Sequence, residues 1–325
     1  MTITAKIIED TTYHKNNYDL IVNEGFKPYR NDNNFRHHYN NWYVESDRLI
    51  TLQLRYPRFI HSELMTHRVF SRNASSSRAI PVNRLIQDVI DDTAMPIHWG
   101  KNIAGMQAKE EHNEYIICQG IDDDLELTRE EAWLLARDNA IEVARSFSKA
   151  GYHKQIVNRL LEPFSHINVV LTSNDWKNFL TLRNHKDAQP EIEQLAKAII
   201  EAINGSVPKL LNIGDWHLPY ITQDDTDKGY ERHKTEFNVN MTNKIYDELA
   251  KISTARCARV SYMTHDNRIP KYEEDIELYN TLLVAEPLHA SPAEHQAYVN
   301  DKPVKNSNFA YSNYYQNRKL IEKIV

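Results

Sequence analysis

Glycine is scarce: the 325 residues hold only eight, and no two of them stand as G-x-G. A G-x-x-x-x-G-K-[ST] stretch is missing as well. The glycine-rich phosphate loops of Rossmann and Walker proteins are thereby excluded, so any bound nucleotide must have its phosphates held by side chains and helix ends. Cysteine is nearly absent. Cys118 and Cys257 are too few for a disulfide scaffold or a four-thiolate metal centre, and they read as buried, reduced thiols. No run approaches the ~20 uncharged apolar residues that a membrane span needs. Met1 to Lys6 lack an apolar stretch followed by a cleavage site, so neither a secretory leader nor a membrane partner is expected, and the expected location is cytoplasmic. With 39 basic against 45 acidic side chains the net charge is −6, a poor footing for neutralising nucleic-acid phosphates. Repeats and low-complexity tracts are also lacking. The length leaves room for a large core, and 41% of the residues are apolar.

Residues 10–47 are crowded with Asn, Tyr and His and read as irregular. In 48–56, Leu49, Thr51, Gln53 and Arg55 alternate with Ile50, Leu52, Leu54 and Tyr56, the pattern of a strand with one apolar face. Pro57 suits the first turn of a helix carrying Phe59, Ile60, Leu64 and His67 and ending near the Ser/Asn-rich stretch 71–77. Residues 88–125 read as a long loop. Thr128 and Glu131 form a capping box for a helix that buries Trp133, Ala140, Ile141, Ala144 and Phe147 and ends at Gly151. A second helix runs to Pro163, a strand covers 167–171, and Ser173 or Asn174 caps a short helix holding Trp176, Phe179, Leu180 and Arg183. Pro190 opens a helix that Gly205 closes. Residues 224–236 read as a charged surface excursion, 243–252 and 274–283 as helices, and the tail as tyrosine-rich and basic.

The chemistry concentrates in 66–78, which packs three arginines, one histidine, Thr66 and four serines into thirteen positions. Arginine forks bind phosphate bidentately, and hydroxyls with loop N–H groups complete such a site. The segment resembles the signature of the flavin-dependent thymidylate synthases, Arg-His-Arg, seven residues, Ser. His67-Arg68, the seven residues 69–75, and Ser76 keep its spacing, and Arg78 matches the arginine two positions on. Further motifs follow in the family's order. Arg159-Leu160-Leu161-Glu162-Pro163 is similar to Arg-x-x-Leu-Pro, and Thr172-Ser173-Asn174 to Thr-x-Asn. Residues 178–183 are similar to Asn-Phe-Leu-x-Leu-Arg, and 188–192 to Ala-Gln-x-Glu-Ile. A third block stands out of order. Residues 258–262 and 289–295 resemble Ala-Arg-Val-Ser-Phe and His-x-Thr-Pro-x-Glu-His, which precede the arginine signature in the family. A circular permutation explains this and requires Glu294 and His295 to return beside the strand at 48–56.

The resemblance implies an α+β fold, a central mostly antiparallel sheet with flanking helices. It implies one catalytic domain over 1–325, with an N-terminal extension at 1–45 and an insertion at 205–245. The implied reaction is reductive C5 methylation of dUMP to dTMP through FAD, with NADPH and methylenetetrahydrofolate as co-substrates and no cysteine nucleophile. The implied assembly is a homotetramer with shared sites. His67, Arg68, Val69, Asn174, Asn178, His185, His289, Ser291 and Glu294 would contact FAD. Glu63, Ser75, Ser76, Ser77, Arg78, Arg159 and Arg183 would bind the nucleotide, with Arg183 and Ser76 closest to the chemistry. No metal is expected.

The sequence departs from the pattern at Thr66, where the signature has arginine, at Ala74, where it has glutamate, and at Glu63, where it has glutamine. The interval from Asn174 to Arg183 is two residues short, so the family's flavin-contacting arginine has no clean match; Trp176 or Lys177 is nearest. A carboxylate at 63 can accept from the amino group of cytosine, so methylation or hydroxymethylation of dCMP is the alternative reaction. Thr66 and the short interval motivate a further alternative, an inactive flavin- or nucleotide-binding relative.

Overall fold

The computed structural model describes residues 2–13, 48–105, 108–119, 123–234, 240–260, 271–284, 290–306 and 308–322. The chain opens with strand β1 (Thr4–Tyr13), and the next described element is β2 (Leu49–Pro57). The irregular reading of 10–47 is corrected at its start: Thr11-Thr12-Tyr13 are strand formers and extend β1, while 14–47 lie outside the described residues. A 3₁₀ turn (Arg58–Ile60) leads into α1 (His61–Met65). This helix stops earlier than its spacing suggests, because 71–74 form a short strand, β3 (Ser71–Ala74). The supposed loop 88–125 contains the end of α2 (Val82–Asp91), strand β4 (Ile116–Cys118) and the start of its hairpin partner β5 (Leu125–Leu127).

Helix α3 (Arg129–Lys149) begins in the expected capping box, with Thr128 and Glu131 satisfying each other's backbone N–H groups, and Gly151 follows it at φ 86°. Then come α4 (Lys154–Val157), a 3₁₀ stretch (Asn158–Phe164), β6 (His166–Ser173), α5 (Lys177–Arg183) and α6 (Pro190–Asn204). Neither Ser173 nor Asn174 caps α5. Asp175 accepts the Lys177 N–H at 3.2 Å instead, and the Asn174 carboxamide is used elsewhere. After β7 (Lys209–Leu211) and β8 (Trp216–His217), the charged stretch at 224–236 is mostly helix, α7 (Gln223–His233), with its own capping box at Thr222 and Asp225. Helices α8 (Asn240–Arg259) and α9 (Tyr272–Val284) pack with it, followed by a 3₁₀ turn (Ser291–Glu294), β9 (Ala297–Val304), β10 (Ser312–Gln316) and α10 (Asn317–Ile321).

The main sheet has the order β3-β6-β2-β1-β7; all its pairings are antiparallel except β1 with β7. The mixed α+β architecture is as expected from the sequence. The alternation in β2 sets the two faces. Ile50, Leu52, Leu54 and Tyr56 join Ile167, Val169 and Leu171 of β6 under the apolar side of α6, where Ile192, Leu195, Ala196, Ile199 and Ile203 complete the core. Thr51 and Thr172 point to the opposite face and share a hydrogen bond of 2.7 Å.

That opposite face carries a buried hydrogen-bonded seam. His295 Nδ1 meets Thr172 Oγ1 (2.8 Å), Thr51 Oγ1 meets His217 Nε2 (2.8 Å), His217 Nδ1 meets Thr11 Oγ1 (2.8 Å), and Thr11 meets the Tyr314 hydroxyl (2.9 Å). Burial pushes both histidines down to about 3, so they are neutral, as buried imidazoles without a carboxylate partner should be. The seam fastens the C-terminal block to the sheet, and the requirement set by the permuted motif order is met: His295 sits against β6, the neighbour of β2. Among the described residues, no helix is long and apolar enough to cross a membrane, and no cluster of three His, Cys, Asp or Glu could hold a metal ion.

Candidate active site

Strand β3 is the spine of the site, with the 66–70 loop at one end and the 75–80 turn at the other. Phe70 anchors the loop. It is fully buried, and its ring packs against Trp176 (5.1 Å) and Phe179 (5.4 Å), which brings α5 onto α1. His67 stacks edge-on against Phe179 at 5.0 Å, and Arg72 fixes the loop backbone by donating to the carbonyls of Met65 (3.1 Å) and His67 (2.9 Å).

This packing delivers Arg183, at the end of α5, to the head of the site. Its Nε donates to His67 Nε2 (3.0 Å), its Nη1 to Glu63 Oε2 (3.1 Å), and its Nη2 to Thr66 Oγ1 (3.4 Å). A guanidinium has only donors, so His67 Nε2 must be its acceptor and the imidazole is neutral. Burial, with Arg183 adding to it, holds His67 below the usual histidine value, in keeping with that role; Asn178 also hydrogen-bonds the ring. Burial raises the Glu63 carboxyl, and Arg183 opposes the rise. Asp187 lies beside His185, which is exposed and outside the cluster.

At the middle of β3, Ser291 donates to Asn73 Oδ1 (3.2 Å), and Asn73 donates to the Cys257 carbonyl (3.0 Å). Glu294 lies beside them, 7% exposed, ion-paired to Arg318 and hydrogen-bonded by Asn308. Asn174 Oδ1 accepts the Ala310 N–H (2.8 Å) and its Nδ2 donates to the Ala310 carbonyl (3.3 Å). Beyond β3, Ser77 donates to Glu162 Oε1 (2.6 Å), which also receives Arg159 Nη1 (2.8 Å). Ser75 is spent on structure, bonding the backbone of Asn168, whereas Ser76 is half-buried and Arg78 exposed.

The structure therefore unites Glu63, His67, Asn178 and Arg183 in one cluster, Ser291 and Glu294 in a second, and Ser77 and Arg159 in a third, all along one short strand. Val69 serves the core, Arg68 stands exposed on the loop, and His289 lies outside the described residues. Trp176 is 3% exposed and donates its Nε1–H to the Ser173 carbonyl, so it cannot stand in for the missing arginine. Four participants escaped the sequence reading. Arg58 donates to Ser165 and to the Ser75 carbonyl, Arg72 holds the loop, and Asn308 and Arg318 reach Glu294 from the tail. Arg72 lay inside the signature and could have been singled out; the tail residues belong to no motif. Cys257 is fully buried, and burial pushes its thiol far up, so it offers no thiolate.

The model of a family described as thymidylate synthase complementing protein matches residues 47–209, half of the chain. The chain belongs to that family. The match takes in the 66–78 segment and Arg159, Asn174 and Arg183, and it leaves out Glu294 and the tail. Among solved structures, the UMP/dUMP methylase PolB from Streptomyces cacaoi bound with 5-Br dUMP is similar at 15% identity, over 62% of this chain and 90% of that one, with a TM-score of 0.41. Thymidylate synthase X (ThyX) from Helicobacter pylori with FAD and dUMP is similar at 13% identity, over 62% and 93%, with a TM-score of 0.39. No curated protein matches the chain.

The side chains present suit a flavin dinucleotide. Neutral hydrogen-bonding groups at 67, 73, 178 and 291 match the polar edge of an isoalloxazine, while the exposed cation at 68 suits a diphosphate.

Proposed function

We propose that this protein catalyses the reductive C5 methylation of dUMP to dTMP with FAD, NADPH and methylenetetrahydrofolate. Family membership supports the reaction class, and the observation that carries the reading is Arg183, a cation held by Glu63, His67 and Thr66 at the junction of two family motifs. The reaction balances: the one-carbon unit of the folate becomes a methyl group by taking a hydride that originates in NADPH, the C5 proton and one proton from solvent go to the folate nitrogens, and tetrahydrofolate and NADP⁺ are released. When bound, FAD would carry the hydride between NADPH and the new carbon substituent.

The chain's own residues bind and orient. Arg183 would supply the fixed cation that stabilises negative charge on the pyrimidine and makes C5 nucleophilic. His67 and Glu63 hold its fork in place. Arg78 and Arg159, with Ser76 and Ser77, would grip the phosphate, and Glu162 keeps Ser77 and Arg159 in register beforehand. His67, Arg68, Asn174, Asn178, Ser291 and Glu294 would hold the flavin, and a homotetramer with shared sites is the proposed assembly. Purified protein should be yellow and should convert dUMP to dTMP when both co-substrates are present. Flavin uptake without NADPH oxidation or nucleotide turnover would favour an inactive relative.

The Glu63–Arg183 pair also supports a second reading, in which the base is cytosine. Its N4 amino group would donate to the Glu63 carboxylate while N3 and O2 accept from Arg183. Glu63→Gln is then expected to shift the dCMP-to-dUMP ratio of kcat/KM about tenfold toward dUMP, the worth of one hydrogen bond to a charged group. Competition between the two nucleotides, with products weighed by mass spectrometry, checks this; an unchanged ratio removes the cytosine reading.

A further inference from the structure

Two of the proposed flavin ligands, Asn174 and Glu294, are held by residues 308–318, a stretch beyond the family match and beyond every motif that resembles the family. We infer that Asn308 and Arg318 are positioning residues of the flavin site, holding and aiming the Glu294 carboxylate from a segment outside the family match. The inference rests on the flavin reading above.

The geometry is that of a clamp. Arg318 Nη1 donates to one Glu294 oxygen and Asn308 Nδ2 to the other, so the plane of the carboxylate is fixed. Gln316 Nε2 donates to the Glu294 carbonyl (2.8 Å) and to Ser71 Oγ (3.2 Å), and Asn308 also reaches Ser71 (3.3 Å), so the backbone at 294 is tied to β3. Ala310 closes two hydrogen bonds with Asn174 at the other end of the same segment.

A carboxylate this deeply buried takes up a proton unless cations oppose it, and a protonated Glu294 would turn an acceptor into a donor toward a ligand. Burial does push Glu294 upward, and Arg318, Asn308 and, from β3, Arg72 pull it back. On the same turn His295 is neutral, and α8 meets the neighbouring Gln296 through Thr254, Ser253 and Cys257, none of them charged. Glu322 shares Arg318 but is more exposed than Glu294. Arg318 is thus the one ion-paired cation directly on Glu294 among the described residues.

FAD titration of the full-length protein, followed by flavin fluorescence from pH about 6 to about 9, tests this. Wild type should bind with little pH dependence. Arg318→Gln should bind about tenfold more weakly at the acid end of this range and recover as pH rises, the response of a buried carboxyl that keeps its proton once its cation is gone. Arg318→Lys should restore wild-type behaviour, and Glu294→Gln should bind weakly at every pH. The inference is overturned if Arg318→Gln follows wild type throughout, or is weakened equally at all pH values. If Arg318→Gln does not fold, Glu294→Gln decides: binding like wild type overturns the inference. Wild-type protein that takes up no FAD overturns the flavin reading itself.

Discussion

Arg183→Ala should lower kcat/KM for the pyrimidine nucleotide by about 10²- to 10³-fold, the usual cost of removing one preorganised donor from developing charge. The fold should survive, because the guanidinium and the Glu63 carboxylate are both partly solvent-exposed. The replacement leaves Glu63 and His67 without their shared cation, so Glu63 takes up a proton more readily and the base edge meets a neutral acid. Arg183→Lys keeps the charge but cannot span Glu63, His67 and Thr66 at once, so it should recover only part of the loss. Steady-state kinetics of both variants, with circular dichroism as a check on folding, give the answer. An alanine variant as active as wild type would remove Arg183 from the chemistry.

The largest expected effect on stability lies elsewhere. Arg256 donates through Nη1 and Nη2 to Asp225 (2.6 and 2.7 Å) and through Nε to Asp275 (2.9 Å), joining α7, α8 and α9, and Asp275 is fully buried. Arg256→Met takes the cation from Asp225, which keeps its Thr222 hydrogen bonds, and leaves Asp275 paired with Arg259. Stranding a buried carboxylate costs about 3–5 kcal/mol, and denaturant unfolding should show a loss of that order. Adding Asp225→Asn should return part of it. The pH dependence has a definite sign. Burial pushes the Asp225 carboxyl up, but hydrogen bonds from Arg256 and Thr222 outweigh it and hold the group below its usual value. Its contribution is therefore present above the ordinary aspartate range and lost as pH falls through the lower, folded value. The gap between wild type and Arg256→Met should narrow in acid.

Much of this arrangement was legible in the residues, for physical reasons that differ by element. The two faces of β2 followed from period-two alternation, and the start of α3 from a capping box, since both are local signals. The meeting of 66–78 with Arg183 followed from motif order alone; the aromatic wedge of Phe70, Trp176 and Phe179 that produces it is a tertiary contact no periodicity records. Strand β3 was hidden because Ser71-Arg72-Asn73-Ala74 is a poor strand former that survives by pairing with β6. Helix α7 was hidden by its charge, although Thr222 and Asp225 carried a cap signal that went unread. The hold of the tail on Glu294 and Asn174 spans 14 to 136 positions and could only be seen in three dimensions.

A crystal structure of the complex with FAD and dUMP bears most directly on the convergence of these stretches. The isoalloxazine should lie against His67, Asn178 and Glu294, with the pyrimidine edge on Arg183 and the phosphate between Arg78 and Arg159. A flavin bound away from β3, or a nucleotide with its base out of reach of Arg183 in every protomer, would contradict the assignment.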